Sequence, residues 1–255
     1  MRVAAIYDIH GNLPALEAVL DEIRDASVDL ILVGGDVVPG PMPAETLARL
    51  LDLDRPVEFL RGNCEVAVLA EMTGTAARAL PPQAREAVAW TARELRPEDA
   101  QAFARWPMTV RLAIEGIGDV LFCHATPRDE DECFTRLTPD ELLVPIFEHL
   151  DVALVVCGHT HMQFDRSVGG IRVVNAGSVG MPFGEPGADW LLLGPDVQLR
   201  HTAYDFDRAV ARIRATDYPQ AEEFAASSVL RPPSEDTMLA AFAKADAKLA
   251  DPVKR

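Results

Sequence analysis

Two side chains able to bind a metal ion follow the first predicted strand. Arg2–Tyr7 is a short, mainly apolar run typical of a buried strand, and Asp8 and His10 come directly after it. Leu13-Pro14 then favours the start of a helix, because proline has no N–H to lose in a first turn. In open α/β sheets, ligands bind beyond the carboxyl ends of the strands. Asp-x-His at such an end indicates a candidate metal site, although the pattern alone is weak.

Residues of the same chemical types recur at later predicted strand ends, beside glycine or directly after an apolar run. They are Asp36, Asn63, His124, His159 and His161. Taken singly, the first two could be turn residues and the histidines could be core residues with one hydrogen bond each. Seven such coincidences in order favour a metal site instead. Carboxylate, imidazole and amide ligands without thiolate suit Mn²⁺, Fe or Zn²⁺ better than a structural zinc site.

The composition is that of a soluble globular protein, with 255 residues, 49% hydrophobic and 25% charged. The net charge of −16 argues against bulk nucleic acid or an anionic membrane as a partner. An anionic substrate would need a local source of positive charge, such as bound metal. The four cysteines show no disulfide framework, and we expect neither a signal peptide nor a membrane-spanning run. These features predict a cytoplasmic protein.

Three strand–helix units in the first third predict a parallel sheet with right-handed crossovers. A helical region over 65–106, including an alanine-rich run at 76–79, precedes a hairpin over 108–123. A helix is expected over about 138–149. Further strands are expected at 153–157, 171–174, 190–193 and 197–204. The tail from 207 is helical by pattern, with breaks at Pro219 and Pro232-Pro233 and a last helix over 234–249.

The ordered motifs Asp-x-His, Gly-Gly-Asp, Gly-Asn, strand-terminal His and Gly-His-x-His resemble the calcineurin-like metallophosphoesterase superfamily. The Gly-Asn-Cys-Glu variant at 62–65 and the run at 175–182 look like its compact bacterial and archaeal phosphodiesterase-like branch. The resemblance implies an α/β fold in which two mixed β-sheets pack as a sandwich flanked by helices, over residues 1–205. Residues 206–255 would be a helical C-terminal extension, packed on the domain or at a subunit contact.

The resemblance also implies a centre of two divalent metal ions, with Mn²⁺ favoured and Fe or Zn²⁺ as alternatives. The first ion would be held by Asp8, His10 and His161. The second would be held by Asn63, His124 and His159, with Asp36 bridging the two. Asp36, Asn63 and His124 are accordingly the predicted catalytic residues. The implied reaction is hydrolysis of a phosphodiester, or of a phosphomonoester, by metal-activated hydroxide.

Other residues receive supporting roles. Asn12 is expected to orient the ligands, and Gly177 and Ser178 to pack beneath the site. Arg128 could bind a phosphate oxygen, or could be a surface arginine paired with Asp129 or Glu130. Arg61 is a weaker candidate of the same kind. His149 and His201 lie outside the motifs and are interpreted as surface or structural residues.

Cys64 is a departure from many relatives, which carry a histidine general acid after Gly-Asn. We therefore expect a diesterase more than a monoesterase, acting on a small phosphorylated substrate. Two alternatives stay open, a nucleotide or protein phosphatase and a non-catalytic binding scaffold on the same fold. Retention of all seven ligand types argues against the scaffold. The oligomeric state is open, and a homo-oligomer is compatible with the tail.

Overall fold

The computed structural model describes residues 1–75, 79–244 and 249. In this part of the chain, ten strands form two five-stranded sheets. The strands are β1 Val3–Ile6, β2 Leu30–Val33, β3 Val57–Phe59, β4 Thr109–Ile114, β5 Gly118–Cys123, β6 Leu154–Cys157, β7 Phe164–Val168, β8 Ile171–Asn175, β9 Ala188–Leu193 and β10 Val197–Thr202.

The sheets are both mixed. The first has the order β10-β9-β1-β2-β3. Strands β1, β2 and β3 are parallel to one another, β9 is antiparallel to β1, and β10 is antiparallel to β9. The second has the order β4-β5-β6-β8-β7, in which β5, β6 and β8 are parallel and the two edge strands antiparallel. The predicted fold class, including the parallel unit of the first three strands, is confirmed.

The helices cover the outer faces and follow the last strand. They are α1 Leu13–Asp25, α2 Pro43–Leu51, α3 Asn63–Thr73, α4 Pro82–Glu94, α5 Pro97–Phe103, α6 Asp140–Phe147, α7 Phe206–Arg214, α8 Ala221–Phe224 and α9 Glu235–Phe242, with a π-helical turn at Ala225–Leu230.

Alternation along β1 builds two layers of core at once. Val3, Ala5 and Tyr7 point between the sheets, into a fully apolar layer. Ala4 and Ile6 point to the opposite face and pack in the cluster that holds α1 and α2. A strand that is buried on both faces has a continuous apolar sequence, and for this reason β1 could be predicted from the sequence. Its carboxyl end is thereby fixed rigidly, and the candidate ligands Asp8 and His10 follow it.

Helical residues after β10 pack in the same apolar cluster as α1 and α2. The cluster that holds α1 also buries side chains from three later elements. They are Val210 and Ile213 of α7, Phe224 of α8 and Val229 of the π-helical turn. Burial of such side chains is worth about 1.5–3 kcal/mol each, so these helices are held firmly against the sheet layer. The division at residue 205 stays a prediction.

Sequence reasoning missed β7, and it misplaced some element ends. The middle of β7 is Asp165-Arg166-Ser167, which lies at the edge of its sheet and exposes polar side chains, so its apolar signal is weak. Helix α3 begins at Asn63 itself, before the predicted start at about residue 65. The last helix is described only over Glu235–Phe242 and at Leu249. Residues 76–78 and 245–248, which the helix predictions included, lie outside the described residues. No helix in the described ranges combines the length and the apolar character needed to cross a membrane.

Candidate metal centre

The loops that follow β1 and β2 are joined by backbone hydrogen bonds. The N–H of Asp8 donates to Gly35 O at 3.1 Å, and the N–H of His10 donates to Asp36 O at 2.9 Å. Gly35 has φ +89°, and a Cβ there would lie 2.5 Å from Gly62 N. A side chain is therefore excluded at this point, where three strand-end loops converge. This close approach brings the carboxylates of Asp8 and Asp36 to one place.

Left-handed backbone marks the same positions. Among the described residues, six non-glycine residues have positive φ, and five of them are predicted ligands. The five are Asp8, His10, Asp36, His159 and His161. Such conformations cost about 1–3 kcal/mol each and persist where the surrounding structure imposes them, commonly at functional sites. The backbone thus supports a functional site at the positions that the sequence motifs mark.

The first group of side chains is Asp8, His10 and His161, whose potential ligand atoms all lie within 4.8 Å of one another. Asp8 Oδ1 lies 3.4 Å from His161 Nε2, and the two Nε2 atoms of His10 and His161 are 3.2 Å apart. Asp36 Oδ2 is 3.8 Å from His10 Nε2. A carboxylate oxygen of Asp36 therefore borders this group.

The second group is Asp36, His124 and His159, again within 4.8 Å of one another. His124 Nε2 lies 3.5 Å from Asp36 Oδ1 and 3.1 Å from Asn63 Oδ1. The two oxygens of Asp36 thus face different groups, Oδ2 toward the first and Oδ1 toward the second. This is the arrangement expected of a bridging carboxylate.

One buried atom tests whether a cation fits. Asp8 is completely buried, and its Oδ1 has no hydrogen-bond donor in the described part of the chain. Its other oxygen accepts the N–H of His159 at 2.8 Å. A buried carboxylate oxygen without a partner is costly, and a bound metal ion would remove this cost. The residues present therefore fit a metal centre.

Backbone carbonyls fix the orientation of two histidines. Nδ1 of His124 lies 2.9 Å from Gly34 O, and Nδ1 of His161 lies 2.9 Å from Met181 O. Because a carbonyl only accepts, each Nδ1 must carry the proton. In the neutral ring, the lone pair is then at Nε2, which faces the carboxylates. Metal-binding histidines are commonly oriented in this way.

The histidines differ in basicity. Burial and the neighbouring His161 lower the pKa of His10 to about 4, and burial and His124 lower the pKa of His159 to about 3. Both are therefore neutral at pH 7 and offer lone pairs. Burial alone would also lower the pKa of His124, but the carboxylates of Asp36 and Asp8 raise it to about 10. A metal at the second group would have to displace that proton.

Glu65 organises the loop that carries Asp36. Its buried carboxylate accepts the backbone N–H groups of Asp36 at 2.8 Å, Val37 at 2.8 Å, Val38 at 3.3 Å and Gly62 at 2.7 Å. The bond to Gly62 also caps the start of α3. One side chain thus fixes both the loop that carries Asp36 and the helix turn that bears Asn63.

The predicted supporting residues surround the ligands. Asn12 caps α1 by accepting the N–H of Ala15 at 3.3 Å, and it donates to Gly180 O at 2.9 Å. The hydroxyl of Ser178 donates to Asp8 O at 2.7 Å. The backbone N–H of Cys64 donates to Asp36 Oδ1 at 2.9 Å, while burial and Asp36 raise the pKa of the Cys64 thiol. The thiol is therefore protonated at neutral pH.

The two candidate arginines have different surroundings. Arg128 makes a bidentate ion pair with Glu132, at 2.8 Å for the closest pair of atoms, whereas the sequence suggested Asp129 or Glu130 as its partner. Its role in substrate binding stays a prediction. The same holds for Arg61, whose buried Nε has no hydrogen-bond partner among the described residues.

The two remaining histidines lie apart from both groups. His149 is exposed beside Glu148, and His201 pairs with Asp189 at 2.8 Å. They are surface and structural residues, as their positions outside the motifs suggested.

Two residues next to the ligands were missed. Cys133 Sγ lies 3.1 Å from His159 Nε2, and the ring of Phe183 stacks on His161 with centroids 5.4 Å apart. Cys133 belongs to an acidic loop without periodicity, so no pattern in the sequence marks it. Phe183 directly follows the Met-Pro end of the run at 175–182, and that adjacency was the one available signal.

Residues 1–194 match the family model for the calcineurin-like phosphoesterase superfamily domain. The match spans most of the chain and includes all seven predicted ligands. The protein therefore belongs to this family, as its motifs suggested.

Individual relatives agree with this assignment. The chain is 29% identical over 178 residues to the uncharacterized protein MJ0912 of Methanocaldococcus jannaschii, covering 69% of each chain. It is 32% identical to phosphodiesterase YfcE of Escherichia coli over 77 residues, which are 27% of this chain and 42% of that protein. Among solved structures, a metallophosphoesterase from Sphaerobacter thermophilus is similar with a TM-score of 0.69 and 28% identity, over 90% of this chain and 99% of that one. Hypothetical protein PH1004 of Pyrococcus horikoshii shares the fold, with a TM-score of 0.77 and 19% identity over 91% and 99% of the two chains.

Proposed function

We propose that the protein is a dinuclear metal-dependent phosphoesterase that hydrolyses small phosphodiesters. The observation that carries the proposal is the position of Asp36 between two ligand groups, 3.8 Å from His10 Nε2 and 3.5 Å from His124 Nε2. When bound, two divalent ions would supply Lewis-acid activation of a water molecule and neutralise charge on the phosphoryl group. Mn²⁺ is the first candidate, with Fe or Zn²⁺ as alternatives, because none of the seven predicted ligands is a thiolate.

The chain's own residues would hold the site ready. Asp8, His10 and His161 would bind one ion, and Asn63, His124 and His159 the other. The backbone hydrogen bonds to Glu65 keep Asp36 in place before substrate arrives. Such preorganisation lowers the cost of assembling charges in the transition state.

The neutral thiol of Cys64 supports a diesterase over a monoesterase. A monoester dianion gains from a positively charged proton donor, which a protonated histidine provides. A thiol is a weak donor and brings no charge. The net charge of −16 also disfavours a dianion more than a monoanion. The name of the relative YfcE, a phosphodiesterase, agrees with this preference over the short segment that the two proteins share.

The test is elemental analysis of the purified protein, followed by assays with Mn²⁺ on bis(p-nitrophenyl) phosphate and p-nitrophenyl phosphate. Both compounds release the same leaving group, so their rates compare a diester with a monoester directly. Asp36→Asn should lower the rate by about a thousandfold, because the bridge contributes several kcal/mol through both ions. Asp54→Asn, at an exposed position, is the matched control.

Each result has a distinct meaning. Faster hydrolysis of the diester, with loss in Asp36→Asn alone, supports the proposal. Faster hydrolysis of the monoester would favour the nucleotide or protein phosphatase. Absence of both bound metal and hydrolysis would favour the binding scaffold.

A further inference from the structure

Two phenylalanines lie at the edge of the candidate metal centre, and we call them the aromatic rim. The ring of Phe183 stacks on His161, with centroids 5.4 Å apart and an interplanar angle of 23°. The ring of Phe242, in α9, lies 6.3 Å from the ring of Phe183. Both residues are half-buried, so part of each lies at the surface. The rim is thus a partly exposed apolar surface directly beside a predicted metal ligand.

The contacts of Phe183 hold it to this histidine. The N–H of Phe183 donates to His161 O at 3.4 Å, and His161 Nδ1 donates to Met181 O at 2.9 Å. The loop and the ligand are therefore tied at two points as well as by stacking. Phe183 is therefore fixed relative to His161, a predicted metal ligand.

Helix α9 is held against the same edge. The N–H of Gly184 donates to Pro233 O at 2.9 Å, just before α9 begins. Glu235 of α9 makes an ion pair with Arg136 at 2.6 Å, and Arg136 lies in the loop that carries Cys133 against His159. The segment 233–242 thereby contacts both loops that border the Gly-His-x-His histidines. It therefore borders the candidate site on the side of His159 and His161.

We propose that the aromatic rim binds the ester group that a phosphodiester retains, and that it selects aryl or other flat apolar groups there. The inference rests on the proposed function and deepens it to a substrate class. A diester held at the two ligand groups has one ester group leaving and one staying. An ester group directed past His161 meets the free part of the Phe183 ring, where aromatic contact is favourable. A monoester has no such group, so the rim favours diesters independently of Cys64.

The test compares two diesters with the same leaving group, bis(p-nitrophenyl) phosphate and methyl p-nitrophenyl phosphate. They differ only in the retained ester group, so the change in the ratio of their kcat/KM values between wild type and a rim variant reports on the rim. We expect the wild type to prefer the aryl diester, and Phe183→Leu to lower the ratio by about fivefold. Phe242→Leu, at the ring that lies 6.3 Å from Phe183, should lower it by a smaller factor. Phe59→Leu is the matched control, because that half-buried ring stacks on Trp106 instead.

Direct binding gives a second readout. Isothermal titration of the Ca²⁺-loaded protein with diphenyl phosphate and dimethyl phosphate measures affinity without turnover. Tighter binding of diphenyl phosphate, weakened in both rim variants but not in Phe59→Leu, supports the inference. If the wild type and both rim variants show the same ratio of aryl to methyl substrates, the inference is overturned. Hydrolysis of either diester would still leave the proposed function standing. Failure to hydrolyse any ester would instead refute the proposed function. The affinities for diphenyl phosphate and dimethyl phosphate would then still test whether the rim binds aryl groups.

Discussion

Glu65 accepts the backbone N–H of Asp36 at 2.8 Å, although both side chains are buried carboxylates in the same loop cluster. The bond shows that Glu65 acts on the backbone around Asp36. Its two oxygens together accept four N–H groups. A glutamine has one acceptor oxygen and an NH₂ group that opposes such donors. The side chain of Glu65 therefore supports the backbone of the candidate metal centre through four hydrogen bonds, which a neutral amide does not reproduce.

We predict that Glu65→Gln lowers the free energy of unfolding by about 1–3 kcal/mol, because buried N–H groups lose their acceptor. It should also weaken Mn²⁺ binding, since the loop that holds Asp36 loses its anchor. Urea unfolding and isothermal titration measure the two effects. Glu58→Gln, on the exposed side of β3, is the control and should change neither. Wild-type stability in Glu65→Gln would show that the four N–H groups find other acceptors.

Cys64 gives a prediction on substrate preference. Replacement by histidine would introduce a group that can carry a proton and a positive charge beside Asp36. We expect Cys64→His to move the ratio of monoester to diester hydrolysis toward the monoester by about tenfold, equivalent to about 1.4 kcal/mol. Cys64→Ser, a neutral hydroxyl at the same place, should leave the ratio near the wild-type value. An unchanged ratio in Cys64→His would mean that this position does not reach the leaving group.

Cys133 gives a prediction on metal affinity. Its Sγ lies 3.1 Å from His159 Nε2, so it helps to orient this ring from outside the ligand groups. Loss of such a partner commonly weakens metal binding by about 10–100-fold. We expect Cys133→Ala to weaken Co²⁺ binding by about tenfold and to alter the visible spectrum of the bound ion. Cys133→Ser, whose hydroxyl can donate or accept a hydrogen bond at the same place, should restore most of the affinity. If both variants bind Co²⁺ as the wild type does, the contact has no part in orienting His159.

The pair His201–Asp189 gives a prediction on pH. Burial alone would lower the pKa of His201, but the hydrogen bond to Asp189 raises it above 6.5. The folded state then binds more protons than the unfolded state, so this contribution to stability is full below pH 6.5 and is lost as pH rises through the raised pKa. Urea unfolding at pH 6 and pH 8.5 should show a larger loss in wild type than in His201→Gln. His149→Gln, at an exposed histidine, should behave as the wild type; equal losses in all three proteins would contradict the assignment.

Much of the fold could be predicted because its central strands are buried on both faces. Leu30–Val33 and Leu154–Cys157 are fully buried, and each is followed by turn residues, so their ends were visible in the sequence. The ligand types could be predicted because they occur at those ends in a fixed order. The edge strand β7 could not, since solvent covers one of its sides and its pattern is polar.

The surroundings of the site were predicted less well, because they depend on contacts between distant segments. Cys133 meets His159, and Phe242 meets Phe183, across separations of 26 and 59 residues that no local pattern encodes. Arg128 shows the same limit at short range. Its partner Glu132 is one of several acidic residues in the same loop, and only the loop conformation decides among them.

The left-handed backbone at the ligand positions has a consequence for engineering. L-residues lose about 1–2 kcal/mol in this conformation, whereas glycine does not. At His10, with φ +48°, and at Asp36, with φ +52°, glycine would therefore relieve strain that the native side chains impose. A selection that rewards thermal stability alone therefore gives no protection to the predicted ligands at these positions. Stabilised variants of this protein should accordingly be sought with the five predicted ligands of positive φ held constant, namely Asp8, His10, Asp36, His159 and His161.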